Sequence, residues 1–471
     1  MSDPTPCLTP RELTRRDAVL LAGAAGACAL LGGCDSSSDS AAPGSVSSGS
    51  ASSDASSSDY PVAASATPSS SSAPSGYESY WLYNPSGVKA TGVYVEEDLR
   101  RTMDSEGLVE PVRLGESNAS VEDLLTDDLY GDVNALFMER GWGDGLPLVP
   151  PVEQRMVRMC KGTDLSRETV VTTLAPLMGQ ATVEKVAANA VMAGCAPAYL
   201  PVVLAAVDAV SDEAYDLVGV STTTSPNVTM VIVDGPVADE IGMNRAANVL
   251  GRGNRANATI GRAVHLAEQN IGGSHPRVSD YSTLGNVGEF GGAFAENEDA
   301  NPWEPLHVER GFEPGQSVVT VASAESFMLV MDIGVDDRGF LDRVVRSVCA
   351  QHWRLEKDYL LLLTPLTAEK LAKAGWDKES IREYVKAGTR VYPSQLDQNL
   401  SEGLEKSGQV EGVGEVDEDG MIPLSLVRSL EIVVAGGTGE KNEVVPLWSP
   451  AVSREISLPK GWDKLVADLG L

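Results

Sequence analysis

The sequence predicts an α/β protein in which mixed sheets are flanked by helices, preceded by a signal peptide and a disordered tether. Three features lead to this prediction. Apolar residues recur at helical spacing between residues 182 and 194, and residues 228–233 form a run of mostly β-branched side chains. Segments of both kinds then alternate towards the C-terminus, which is the pattern of layered α/β folds.

The first residues have the pattern of an export signal for a lipoprotein. Arg15 and Arg16 precede a short apolar run, Ala18–Leu31, and the sequence Leu-Gly-Gly ends at Cys34. A basic start, a short apolar segment and small residues before the cleavage point are typical of a signal peptide rather than a membrane span. The segment resembles a twin-arginine signal with a bacterial lipobox, and a Sec lipoprotein signal is the alternative. We therefore expect export and a lipid on Cys34 that anchors the protein to the outer face of the cytoplasmic membrane.

The composition divides the remaining chain into four predicted parts. Residues 35–76 are mostly Ser, Ala, Asp, Gly and Pro, which cannot bury enough apolar surface to fold and predict a disordered linker. Residues 77–127 are an N-terminal extension. Residues 128–335 are the α/β main domain, which contains the candidate site, and residues 336–471 are a C-terminal α/β subdomain.

Local signals place the individual helices and strands. Thr182 is a good N-cap for the first clear helix, and Pro201 suits the first turn of the next one. The later elements are predicted from periodicity: strands within 317–333, at 359–363 and at 430–434, and helices at 340–353, 367–374 and 377–386.

Bulk charge and cysteine spacing exclude several classes of function. The formal net charge of -31 argues against binding of nucleic acid over the whole surface. The six cysteines contain no CxxC pair, so neither a zinc ribbon nor a disulfide framework is predicted. After the leader, no apolar run reaches the roughly 18 residues that a membrane-spanning helix needs.

The stretch from Asn244 to Arg310 is the candidate ligand-facing part of the chain. No acidic residue lies between Glu240 and Glu268, yet this acidic protein places four arginines there. We predict a helix with Asn257 or Thr259 as its N-cap. Helix N-termini and arginines both bind anions, so the predicted substrate is a small carboxylate-type anion. The residues predicted to bind this anion are Arg255, Arg262, Asn257, Asn244 and Trp303. In the alternative interpretation the arginines pair with the surplus of acidic groups inside the protein.

A second part of this stretch carries the candidate catalytic groups. Glu296 and His307 lie on one proline-rich loop, where a carboxylate and an imidazole can transfer protons, with Trp303 as a pocket wall. A salt-bridged structural loop is the alternative. No metal site is predicted, because His265, His275, His307 and Glu296 match no zinc spacing, although a site built from these four is a further alternative.

Four motifs carry a resemblance to a known family. They are WGDGLPLVPP (Trp142–Pro151), NAVMAGCAPAYLPV (Asn189–Val202), RANATIGRA (Arg255–Ala263) and AENEDANPWEPLHVERGF (Ala295–Phe312). Over about residues 130–450 the chain resembles a largely uncharacterised bacterial family. Some of its members are associated with companion proteins that bear a (seleno)cysteine-Gly-Ser-Cys motif. The resemblance implies a redox partner protein, but this chain lacks that motif.

Taken together, these features predict an exported, lipid-anchored enzyme that acts on a small anionic molecule, with its reaction class open. The sequence identifies no cofactor. A non-catalytic solute-binding lipoprotein and an accessory subunit of a membrane redox complex are the alternatives.

Overall fold

An eight-stranded mixed sheet forms the centre of the protein. The structure, a computed structural model, describes residues 79–83, 109–113, 127–351, 356–395 and 416–470. The strands are β1 (Ser79–Tyr83), β2 (Val109–Arg113), β3 (Val170–Leu174), β4 (Gly179–Thr182), β5 (Val228–Asp234), β6 (Ala293–Ala295), β7 (Val318–Ala324), β8 (Met328–Met331), β9 (Lys357–Leu363), β10 (Arg390–Val391), β11 (Ile422–Pro423), β12 (Val427–Val434), β13 (Lys441–Leu447) and β14 (Val452–Glu455). The helices are α1 (Asp127–Glu139), α2 (Glu153–Met159), α3 (Val183–Ala193), α4 (Leu200–Val210), α5 (Leu217–Thr222), α6 (Pro236–Glu240), α7 (Arg255–Ala267), α8 (Leu306–Glu309), α9 (Asp337–Cys349), α10 (Pro365–Lys373), α11 (Lys378–Gly388) and α12 (Trp462–Ala467).

The sheet has the strand order β12-β9-β13-β7-β5-β6, with β8 added to β13 and β14 to β7. The pairs β12/β9 and β5/β6 are parallel, and the other pairs are antiparallel. All residues of β5, β7 and β9 are buried, because both faces of the sheet are covered. The predicted α/β class with a mixed sheet and flanking helices is therefore confirmed.

Three apolar clusters cover the two faces of this sheet. The first joins β5, β6 and β7 to α3, α4 and α7, and the second joins β9, β12 and β13 to α9, α10 and α11. The third, which includes Ile232, Phe294 and Val433, lies among strands from both halves of the sheet. The first cluster includes Val452 and Ile456 and the second includes Val330, so both clusters cross the predicted boundary at residue 335, and strands on both sides of this residue belong to one sheet.

Several local predictions are confirmed. The side chain of Thr182 accepts a hydrogen bond from the Lys185 N–H at the start of α3, and Pro201 lies in the first turn of α4. Strands β1 and β2 pair within the predicted N-terminal extension. The predicted signal peptide, Cys34 and residues 35–76 lie outside the described residues.

Candidate functional site

The candidate site lies where β5 and β6 end. These strands are parallel, and their register pairs Val233 with Ala295. The next residue along each strand is a carboxylic acid, Asp234 at the end of β5 and Glu296 just after β6. Because carboxyl ends of neighbouring parallel strands meet at one edge of the sheet, the two acids lie side by side.

The loop after β6 folds back over this edge and adds two more groups. The Gly235 N–H donates a hydrogen bond of 2.6 Å to Oε1 of Glu298. Gly235 has φ of 83°, and a Cβ there would lie 2.1 Å from the Gln316 carbonyl oxygen, so the position requires glycine. Further along, Pro305 precedes the short helix α8, which carries His307 into the interior.

Glu296 is buried and held by N–H donors. Its Oε1 accepts a hydrogen bond of 2.8 Å from Nδ2 of Asn301, and its Oε2 accepts one of 2.7 Å from the Leu306 N–H. Burial raises the pKa of Glu296, while the nearby Lys378 ammonium and the Leu306 N–H act to lower it. The side chain is therefore fixed in place and shapes the loop around the site.

Asp234 is the unusual group in this cluster. Its side chain is fully buried, and neither carboxylate oxygen has a hydrogen-bond donor among the described residues. Burial raises the pKa of Asp234 well above its usual range, and the neighbouring Glu296 carboxylate raises it further. A buried ionised carboxylate is strongly unfavourable unless a cation or donor compensates it. Asp234 therefore needs either a proton, which it can share with Glu296, or a cation.

His307 also lacks hydrogen-bond partners among the described residues. Only 1% of it is exposed, and both ring nitrogens are buried without a hydrogen-bond partner among the described residues. Burial lowers the pKa of His307, although the Glu298 carboxylate, whose Oε1 lies 4.0 Å from Nδ1, acts to raise it. A neutral imidazole offers a lone pair, and here no protein group uses it.

Asp234, Glu298 and His307 together form a donor set for a metal ion. One ligand atom from each residue lies within 4.8 Å of the other two. One imidazole nitrogen and two carboxylate oxygens suit a divalent transition metal such as Zn²⁺ or Mn²⁺. Three protein ligands leave coordination positions open, as catalytic rather than structural sites do.

A buried lysine completes the electrostatics of the site. Nζ of Lys378, the first residue of α11, lies 3.1 Å from Oε2 of Glu309, and its ammonium group acts on the pKa values of Asp234, Glu296 and His307. Arg382 of the same helix also pairs with Glu309. Helix α11 therefore brings positive charge close to the acidic cluster, paired with Glu309 of α8.

The structure brings together the two predicted catalytic residues and places the predicted substrate arginines elsewhere. Nε and one terminal nitrogen of Arg255 donate to the Gly194 carbonyl oxygen, at 3.1 and 2.9 Å. Arg262 forms a bidentate ion pair with Asp144, at 2.6 and 2.8 Å. Both arginines are thus engaged by protein groups, and their role as substrate ligands stays a prediction.

The other predicted substrate residues also have protein partners. Oδ1 of Asn257 accepts from the Asn244 N–H, and its Nδ2 donates to the Asn244 carbonyl oxygen. The predicted helix cap at Asn257 or Thr259 is wrong, because Asn254 caps α7 by accepting from the Asn257 N–H. Trp303 donates its indole N–H to the Trp376 carbonyl oxygen beside the site loop.

One contact joins the arginine-rich stretch to the Glu/His loop. Arg245 bridges Asp239 and Asp299, at 3.0 and 2.9 Å, and Asp299 follows Glu298 directly.

The alternative metal site, built from His265, His275, His307 and Glu296, does not assemble in the structure. The ring nitrogens of His265 contact backbone carbonyls of Thr229 and Glu289 near the opposite end of β5.

Three features of the site were not predicted from the sequence: Asp234 as a site residue, Glu298 as a metal ligand, and Lys378 as the nearby cation. The signal for Asp234 was present, since an acid and Gly-Pro directly follow a buried run of β-branched residues. For Lys378 no local signal exists, because it reaches the site from another helix.

Comparison with protein-family models, curated proteins and solved structures finds no match for this chain. The family resemblance therefore stays a prediction. In the described part of the chain, no helix is both long and apolar enough to cross a membrane.

The described cysteines are poorly suited to thiol chemistry. Cys160, Cys195 and Cys349 are all free thiols. Burial raises the pKa of Cys160 to about 11 and that of Cys195 to about 12, and it also raises the pKa of Cys349. Because the thiolate is the reactive form, these side chains are packing groups at neutral pH.

Proposed function

We propose that this protein is an exported, lipid-anchored enzyme that uses a divalent metal ion held by Asp234, Glu298 and His307. The observation that carries the proposal is the pairing of two buried, partnerless groups with a third ligand. Among the described residues, the Asp234 carboxylate has no donor and the His307 ring has no hydrogen-bond partner, and both converge with Glu298 within 4.8 Å. A divalent cation would satisfy all three groups at once.

The proposed chemistry follows from the donor set and its surroundings. A metal ion with open coordination positions polarises an oxygen of the substrate and activates bound water. The side chain of Glu298 is 28% exposed, so the open positions face solvent on that side. A metal ion with open positions can bind a carboxylate oxygen directly, which is compatible with a small anionic, carboxylate-type substrate without a contribution from Arg255 or Arg262.

Metal content is the direct test of the proposal. The full-length protein, purified without chelator, is analysed by mass spectrometry for metals, then stripped and titrated with Zn²⁺ and Mn²⁺. We expect one tightly bound ion, and stabilisation of about 2.7 kcal/mol when the free ion is at a hundred times its Kd. His307→Gln should weaken this binding by at least about a hundredfold, since even outer-sphere partners contribute up to about that much.

Asp234→Asn provides a sharper test, because it should change the thermal stability in opposite directions without and with metal. Without metal it should raise the melting temperature, since it removes a buried carboxylate that lacks a donor. With metal it should abolish the metal-dependent stabilisation. The matched control is Asp332→Asn, which changes another buried aspartate, one that accepts a hydrogen bond from Thr367 instead. Wild-type protein that binds neither ion, or an Asp234→Asn variant that binds as the wild type does, would refute the metal centre.

A second candidate function uses the same residues without metal. Asp234 with its raised pKa is a proton donor, Glu296 is an acceptor, and His307 is neutral, which together support general acid-base catalysis. Activity that survives complete metal removal and is lost in Asp234→Asn would favour this function.

The non-catalytic alternative is a solute-binding lipoprotein. A binding protein returns its ligand unchanged after prolonged incubation, whereas an enzyme converts it. The third alternative, an accessory subunit of a redox complex, would co-purify with its partner from membranes, and the described cysteines give it no support.

A further inference from the structure

A cavity lies at the opposite end of β5 from the proposed metal site. It has a volume of about 160 Å³ and is lined by residues from β5, α7 and the loop that follows. Its strand residues are Val228 and Thr229, whereas the metal centre uses Asp234. At about 3.3 Å per residue of strand, the two sites are separated by roughly 17–20 Å.

Both ring nitrogens of His265 are engaged by the backbone in this cavity. Nδ1 lies 2.7 Å from the Glu289 carbonyl oxygen, and Nε2 lies 2.8 Å from the Thr229 carbonyl oxygen. His265 is therefore fixed in place, and its ring nitrogens are not free for a ligand.

Glu268 is oriented by a chain of hydroxyl groups. The Thr229 hydroxyl donates a hydrogen bond of 2.6 Å to Oε1 of Glu268, and the Tyr215 hydroxyl lies 2.7 Å from the Thr229 hydroxyl. Since Thr229 gives its proton to Glu268, Tyr215 donates to Thr229. Glu268 lines the cavity. Glu268 also begins a π-helical turn, Glu268–Gly272, a rare feature that is frequent at functional sites.

An unsatisfied amide in the same cavity is an independent observation. Both polar side-chain atoms of Asn227 are buried, and neither has a hydrogen-bond partner among the described residues. Leaving a buried polar group unpaired costs about 1–3 kcal/mol. Asn227 lines the cavity next to β5, so a ligand there would satisfy it.

The sign of the charge in the lining selects the ligand. Three carboxyl groups, those of Glu268, Asp280 and Glu289, line the cavity together with the imidazole of His265. A fourth, Asp144, is already neutralised by Arg262. Burial raises the pKa of Glu268 and of Glu289, and a cation bound beside them would favour their ionised forms. Acidic groups therefore dominate the lining, which favours a cation.

We propose that this cavity binds a small organic cation, a primary alkylammonium whose nitrogen is held by Oε2 of Glu268 and Oδ1 of Asn227. Size is consistent with this class, because a cavity of about 150 Å³ accommodates a molecule the size of benzene. Apolar neighbours, among them Val220, Leu266 and Phe290, line the space for a short alkyl chain.

The test compares three probes of equal chain length on the full-length protein by isothermal titration calorimetry. These are n-butylammonium, n-butanol and n-butyrate, each at the same ionic strength. We expect n-butylammonium to bind at least about tenfold more tightly than n-butanol, because a hydrogen bond to a charged group contributes about 1.5–3 kcal/mol. No binding of n-butyrate is expected.

Variants separate this site from other carboxylates. Glu268→Gln should weaken n-butylammonium binding by at least about tenfold, whereas Glu443→Gln, a half-buried glutamate on β13, should leave it unchanged. Asn227→Ala provides a second test should Glu268→Gln fail to fold, and Asp234→Asn should bind as the wild type does. Equal affinity for n-butylammonium and n-butanol, no binding of n-butylammonium, or full binding by both Glu268→Gln and Asn227→Ala would overturn the proposal.

Discussion

Replacement of Arg262 by alanine tests whether the arginine-rich stretch stabilises the fold or binds substrate. Arg262 donates twice to Asp144 and once each to the Leu146 and Pro147 carbonyl oxygens. The Arg262 and Asp144 side chains are only 12% and 14% exposed. Loss of one partner from a buried ion pair costs about 3–5 kcal/mol, and exposed pairs contribute about 0–1 kcal/mol. At this exposure we expect a loss of about 2–4 kcal/mol.

The assay is thermal unfolding followed by tryptophan fluorescence. At about 2 °C per kcal/mol for a large domain, the melting temperature of Arg262→Ala should fall by about 4–8 °C. Asp144→Asn in the same background should recover part of this loss, because it removes the uncompensated charge. Arg252→Ala, which changes an exposed arginine in the same stretch, should stay within about 0.5 kcal/mol of the wild type.

The reasoning is refuted if Arg262→Ala melts within about 1 °C of the wild type, a shift that corresponds to about 0.5 kcal/mol. An unchanged melting temperature together with loss of stabilisation by added carboxylates would instead support the anion site predicted from the sequence.

Three further predictions concern a thiol, a glutamate and a glycine. Cys195 has a pKa of about 12, so at pH 8 only about one thiol in ten thousand is ionised, and iodoacetamide should label it in urea but not in the native protein. Burial raises the pKa of Glu443 above 4.5, so the stability linked to it is complete below pH 4.5 and is lost as the pH rises through the folded pKa. Thermal unfolding of Glu443→Gln should therefore match the wild type near pH 4 and exceed it near pH 8. Gly235→Ala should lower stability by more than about 1 kcal/mol in denaturant titrations, because the left-handed backbone is strained and the Gln316 carbonyl oxygen must move. The same variant should weaken metal binding, since it displaces the N–H that positions Glu298.

Local chemistry explains which parts of the fold could be predicted from the sequence. Thr182 caps α3 as expected, and the buried strands β5, β9 and β12 were visible as apolar runs. Such signals depend on contacts within a few residues, which the order of residues already contains. Glu296 and His307 could be chosen as a pair because proline and acidic residues surround them on one loop.

The N-cap of α7 could not be predicted from the local sequence alone. Asn254, Asn257 and Thr259 can all accept a hydrogen bond from a helix N-terminus. The structure uses Asn254, since the amide of Asn257 is already occupied by the backbone of Asn244, 13 positions away.

The sequence by itself determined the α/β class, the longer helices after Thr182, the buried strands β5, β7, β9 and β12, and the Glu296–His307 loop as a candidate for chemistry. Only the tertiary structure decided which groups complete that site and which arginines remain available. Arg262 meets Asp144 across 118 positions, and Asp234 meets Glu296 through the register of two parallel strands. Such meetings depend on strand register and helix packing between distant segments. Hydrophobic periodicity and helix caps depend on residues close in sequence, so they do not show which distant residue a charged side chain will pair with. That partner is known only from the folded structure.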